Sequence, residues 1–207
     1  MNIDPVAVAL GFGVLLISLT IHEAAHAWTA DRLGDPTARL LGRVSLNPLV
    51  HVDPIGTVVL PLLAAISHLP LIGWAKPVPV DMRNLRDPRR DFMLVAAAGP
   101  ISNLVQAVIA AALFRVLVAT HLGAGPALQV LERAVVINLL LAFFNLIPVP
   151  PLDGGNVALG LLPPALAASY AKLRQFGFLV LYALMFTGVA SALIFPPTDF
   201  FLRILLP

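Results

Sequence analysis

Four stretches of this 207-residue chain run with almost no charge for a helix-spanning length, at roughly 5–30, 92–119, 128–148 and 175–195. An α-helix rises about 1.5 Å per residue, so about 20 apolar residues cross the ~30 Å of a bilayer's hydrocarbon. Lipid offers no partner to a backbone N–H or C=O, and a helix satisfies its own. The fold class that follows is an all-α polytopic membrane protein with four transmembrane helices. Composition agrees: 59% of residues are hydrophobic, 12% are charged and mean hydropathy is +0.92, outside the range of soluble domains. The intervening loops are too short for an extramembrane module, so 1–207 reads as a single domain. The N-terminal stretch has no basic lead-in and reads as the first span rather than a cleaved signal.

A fifth apolar segment, 54–73, carries Pro54, Pro61 and Pro70, each of which removes a helix donor. It reads as either re-entrant or spanning. The basic residues bear on that choice, because they gather in two loops: Arg32, Arg39 and Arg43 in 31–50, and Lys76, Arg83, Arg86, Arg89 and Arg90 in 74–91. The positive-inside rule puts both loops in the cytoplasm, which a re-entrant 54–73 satisfies and a single crossing does not. Loop-gathered charge, with a net of only +2, points to membrane orientation and away from nucleic acid. The expected location is the cell membrane, multi-pass, with the C-terminal end of the first span towards the cytoplasmic side. With no cysteine, disulfides and thiolate metal sites are excluded, so any metal relies on His, Asp and Glu.

His22, Glu23 and His26 form HEAAH inside the first apolar span. The i, i+4 spacing puts both imidazoles on one helix face, where one zinc ion can take both, while the glutamate serves as general base. With 5 His and 2 Glu in the chain, a chance HExxH is expected on the order of 0.001 times. A polar patch lining a cavity or proton path is the alternative to a metal site. A catalytic zinc takes three protein ligands and leaves a position open. Asp153 is the foremost candidate for the third, in FFNLIPVPPLDGGNV, where Pro148, Pro150 and Pro151 end regular helix. An N-cap or Asx-turn role for Asp153 stands beside that reading, and Asp53 is the rival carboxylate.

HEAAH in an early helix and NLIPVPPLDGG in a later one resemble the paired motifs, HExxH and NxxPxPxxDG, of the site-2 proteases. DPTARLLGRVSLNPLVHVDPIGT, GWAKPVPV and AAAGPISN resemble the compact bacterial and archaeal branch of that family, which lacks a PDZ domain. The resemblance implies a zinc metalloendopeptidase that hydrolyses peptide bonds in or near transmembrane segments of substrate proteins. It implies one Zn2+ per chain on His22, His26 and Asp153, with Glu23 as base. It further implies a substrate or oxyanion contact for Asn145, with Asn103 a second candidate. Interhelical hydrogen bonding is the competing use of both asparagines.

GWAKPVPV, at 73–80, has the composition of a short membrane-associated β segment, whose edge is suited to strand addition, and equally of a plain basic loop. His51 and Asp53 read as a second polar site or as caps of the following helix. Trp28 and Trp74 fit interfacial anchors. A metal transporter using the same ligands is the rival function. Transport asks for weak, multiple sites along a path, whereas two histidines and a carboxylate beside a glutamate suit hydrolysis.

Overall fold

The computed structural model of the chain describes residues 5–59, 63, 75–121 and 125–207. Helix α1 (Pro5–Arg32) is followed by a single-turn helix, α2 (Thr37–Leu40). The long α3 (Pro88–Ala119) and α4 (Gly125–Asn145) come next. The shorter α5 (Asp153–Leu161) and α6 (Pro164–Ala171) precede α7 (Gly177–Phe186) and α8 (Val189–Leu205). Among the described residues, Val8–Arg32, Pro88–Ala119 and Gly125–Asn145 are each long and apolar enough to cross a membrane.

The last expected span takes a different form. The chain from Pro164 to Phe186 and α8 meet at a bend of 70°, so they make one broken span or a re-entrant turn rather than a straight helix over 175–195. The break falls at Gly188, whose φ of +78° lies in the left-handed region, and that ends α7 whatever the hydropathy of the residues around it. Helix α8 then tolerates Pro196 and Pro197, and the Thr198 hydroxyl donates to Ile194 O at 2.7 Å.

Helix α3 starts four residues earlier than its apolar run because Asp87 caps it, accepting from the Arg90 amide, and Pro88 fits its first turn. It packs against α1, α4 and α5. Small residues allow this close approach: Ala107, Ala110 and Ala111 of α3 meet Val135 and Leu139 of α4, with Leu202 and Leu205 of α8 beside them. The opposite edge of α3, including Ile101, Val105 and Ile109, is exposed and suited to lipid.

The two basic loops are fastened to each other. Asp35 is fully buried and accepts from the Thr37 amide and hydroxyl, the Asp81 amide and the Asn84 side chain. Burial pushes its carboxyl up, but the hydrogen bonds from Asn84, Thr37 and Asp81 outweigh that and hold it below its ordinary range. Asp53 caps the turn at Pro54–Val59, accepting from the Ile55 and Gly56 amides, so the capping reading of Asp53 holds. The rest of 54–73, residue 63 apart, lies outside the described residues, as do Gly73 and Trp74. Residues 75–80 form no strand. Pro77 and Pro79 have no N–H to offer a ladder. The segment is held instead through Lys76, whose amide donates to His51 O at 2.8 Å and whose carbonyl accepts from Arg43.

Candidate metal centre

His22 and His26 lie ten and six residues before the end of α1, which puts them about 15 and 9 Å along the axis from Arg32. Both are buried. Their opposite face of the site is supplied by α3 and by the start of α5. Gly99 of α3 makes room for the imidazoles: a Cβ there would sit 2.4 Å from His26 Nε2 and 2.6 Å from His22 Cε1. Gly154 does the same for the carboxylate. A Cβ on it would lie 2.3 Å from Leu146 O, so only glycine lets the first turn of α5 fold back against 146–150 and set Asp153 under the histidines.

Three ligating atoms converge there. His22 Nε2 lies 3.0 Å from His26 Nε2, and Asp153 Oδ2 lies 3.1 Å from the first and 3.4 Å from the second. Among the described residues this is the one group of three His, Cys, Asp or Glu side chains so placed. The other ring nitrogens are already used: His22 Nδ1 is 2.6 Å from Asn103 Oδ1, and His26 Nδ1 is 2.7 Å from Val95 O. Neither oxygen can donate, so each Nδ1 carries a proton, and in the neutral imidazole, the form that binds a metal, each Nε2 presents a bare lone pair. Asp153 Oδ2 is buried and receives no hydrogen bond from the described residues.

Three acceptors facing one another without a proton repel unless a cation sits among them. Two imidazoles and one carboxylate are the donor set of a catalytic zinc. Tetrahedral bonds of about 2.0–2.1 Å separate ligand atoms by about 3.3 Å, close to the spacings found. The residues therefore fit zinc.

A family model described as Peptidase family M50 matches residues 122–188, which include Asp153. YwhC of Bacillus subtilis (strain 168), named as a candidate zinc metalloprotease, is 38% identical over 190 residues, covering 88% of this chain and 82% of that protein. This chain belongs to peptidase family M50. Rip2 of Mycolicibacterium smegmatis, named in the same way, is 33% identical over 174 residues, 83% of this chain and 64% of that protein. Rip2 of Mycobacterium tuberculosis (strain H37Rv) is 33% identical over 174 residues, 82% of this chain and 63% of its own length. The chain thus spans a little under two thirds of the mycobacterial proteins. No solved structure matches it. As an M50 peptidase, the site-2 protease family, it is a zinc metalloprotease, and its apolar helices make it a multi-pass membrane protein.

The asparagines of this M50 chain occupy different places from one another. Asn103 is fully buried behind His22, and its Nδ2 donates to Asn138 Oδ1 at 2.8 Å, so it faces the helix interior. Asn145 ends α4 half-buried, with Nδ2 donating to Leu141 O of its own helix at 3.0 Å. His51 is buried at the loop, 2.8 Å from Ser45 O.

Three features went unread in the sequence. Gly99 lies four residues before Asn103 on the same face of α3, and Asn138 is the one amide within the apolar run 134–144 of α4. A polar side chain in such a run is itself a pointer to function. Arg43 is buried near the site: burial holds its guanidinium below its ordinary value, opposed by the Glu23 carboxylate.

Proposed function

We propose that this chain is an endopeptidase that hydrolyses peptide bonds in or beside the membrane-spanning segments of protein substrates, with His22, His26 and Asp153 holding one zinc and Glu23 acting as general base. The observation that carries this reading is the convergence of two bare imidazole nitrogens and an undonated carboxylate oxygen within 3.4 Å, beside a glutamate, inside an apolar helix bundle. Zinc in such a site supplies Lewis-acid chemistry, polarising the scissile carbonyl and making water more acidic.

The chain's own residues do the rest. Glu23, next to His22 on α1, takes a proton from the attacking water onto its carboxylate as the water oxygen bonds to the carbonyl carbon. It returns that proton to the amide nitrogen as the C–N bond breaks. Asn145, at the end of α4 before the loop that leads to Asp153, offers its remaining amide hydrogen to the substrate carbonyl or backbone. The buried walls keep water scarce and make these charges act strongly.

The single domain sits in the cell membrane with the site towards the cytoplasm. Supporting this, the two basic loops are hydrogen-bonded to each other, which puts their positive charge on one face of the bundle. The test is zinc content per chain in detergent for wild type and Asp153→Ala, with cleavage of a single-span substrate by wild type and Glu23→Gln. One zinc in wild type, lost or weakened in Asp153→Ala, and an inactive Glu23→Gln that keeps its metal are the expected results. A Glu23→Gln variant that still cleaves would overturn the mechanism.

A further inference from the structure

His22 can serve zinc through Nε2 only if its proton stays on Nδ1, and the residue facing Nδ1 is an asparagine, which can present either end of its amide. If Asn103 presented Nδ2, His22 would have to accept at Nδ1 and carry its proton on Nε2, where it would block the metal. Something must therefore fix which way Asn103 points.

The hydrogen bonds beyond Asn103 supply it. Asn103 Nδ2 donates to Asn138 Oδ1 at 2.8 Å, and Asn138 Nδ2 donates both to Ala134 O and to Ser18 Oγ, each at 2.9 Å. Asn103, Asn138 and Ser18 are all at most 2% exposed, so water cannot substitute for any of them. Ala134 O is a backbone carbonyl and accepts only. Asn138 must turn its nitrogen towards it, which leaves Oδ1 facing Asn103. Asn103 must then donate with Nδ2, which leaves its own Oδ1 facing His22, and His22 must donate from Nδ1. Polarity thus runs without a free choice from a carbonyl of α4, through α3, to α1. Ser18 closes the path one turn before His22 on the same helix.

We propose that Asn138 is a positioning residue of the metal centre: by presenting Oδ1 to Asn103 it fixes the amide orientation that keeps His22 in the Nδ1–H tautomer and leaves Nε2 free. This rests on the reading of His22 Nε2 as a zinc ligand. Asn138 touches neither metal nor substrate and acts only through Asn103, which separates it from a residue that merely packs. Leucine is close to asparagine in size and shape, so Asn138→Leu removes the polarity while keeping the volume.

The experiment uses the full chain in detergent. Zinc affinity is measured by chelator competition for wild type, Asn138→Leu, Asn103→Leu, the double variant, and Leu139→Ala as a packing control in the same core. Histidine 15N spectra of the metal-free proteins report the His22 tautomer. Loss of an outer partner of a metal-bound histidine weakens metal binding by about 10- to 100-fold, and that is the loss expected for Asn138→Leu. The double variant should be no weaker than Asn103→Leu alone, and the metal-free spectrum of Asn138→Leu should show a mixture of tautomers where wild type shows Nδ1–H. Leu139→Ala should lower the melting temperature without moving either readout. Wild-type affinity and a pure Nδ1–H tautomer in Asn138→Leu overturn the proposal, as does an equal loss of affinity in Leu139→Ala. If wild type itself holds no zinc, the metal assignment fails, and the tautomer spectra still decide the role of Asn138.

Discussion

Gly99→Ala tests the geometry of the site with one carbon atom. The added Cβ would lie 2.4 Å from His26 Nε2, 2.5 Å from His26 Cε1 and 2.6 Å from His22 Cε1, whereas ordinary contact begins at 3.4 Å. Something has to move by about 1 Å. The α3 backbone cannot simply retreat, because His26 is tied to Val95 O and His22 to Asn103 on either side of Gly99. The imidazoles must therefore turn, and both lose their alignment with Asp153. A misplacement of 1 Å costs on the order of 100-fold in rate, and ligand disorder of this kind weakens metal binding by about 10- to 100-fold. The assay pairs chelator competition for zinc with cleavage of a single-span substrate. Gly11→Ala, on α1 in open space, is the control and should keep both properties, since alanine favours helix by about 1 kcal/mol. Wild-type zinc affinity and cleavage in Gly99→Ala would refute the close approach on which the site is built.

Gly154→Ala should act through backbone rather than rings: its Cβ would lie 2.3 Å from Leu146 O, so the first turn of α5 shifts and zinc per chain falls in detergent. Asp35→Ala removes the acceptor of four hydrogen bonds, two of them between the basic loops, and should cost about 3 kcal/mol, read as a lower melting temperature with zinc content unchanged. Asp35 also sets a pH limit. Its folded pKa is lowered, so its contribution is complete above the unfolded value of about 4 and is lost as pH falls through the folded value; Asp35→Asn should flatten that acid limb of a melting-temperature profile. Arg43→Met frees the Lys76 carbonyl and should speed limited proteolysis within 75–80 relative to wild type.

What sequence reveals here follows from how far each signal reaches along the chain. HEAAH is legible because helical spacing alone sets His22 and His26 on one face. Asp153 is legible as the carboxylate next to two glycines, although its N-cap alternative is separated only by the fold of α5 against 146–150. The cap of α3 at Asp87 is equally local, yet it lies outside the apolar run that marks the helix. Asn138 is a different case: its partners are 35 and 120 positions away in sequence, and only the packing of α1, α3 and α4 decides that it faces Asn103 and Ser18. Gly188 escapes a hydropathy reading altogether, because the left-handed backbone that breaks the last span depends on a dihedral and not on polarity. The 73–80 segment has the composition of a strand, but a strand is a property of two segments, and among the described residues 75–80 is held by a side-chain clamp and one amide bond at Lys76.

The partners behind the two histidines are an amide oxygen and a backbone carbonyl, neither of them charged, and membrane burial explains the choice. On the proposed assignment, zinc would bring +2 to the carboxylates of Asp153 and Glu23, and the Glu23 carboxylate also interacts with the buried Arg43 guanidinium. Soluble zinc sites commonly orient their histidines with carboxylates, but a carboxylate in place of Asn103 would add a further charge at a position with no solvent exposure. Asn103→Asp isolates this. An aspartate there still accepts from His22 Nδ1, yet it loses the donor that meets Asn138 Oδ1 and sets two oxygens against each other. An unpaired buried charge costs several kcal/mol, so the metal-free variant should melt well below metal-free wild type. Zinc should recover more stability in the variant than in wild type, because the metal offsets the added charge. Calorimetry or fluorescence melting with and without chelator reads both quantities, and a metal-free Asn103→Asp protein as stable as metal-free wild type would show that the cost of a buried charge is not what selects an amide at this position.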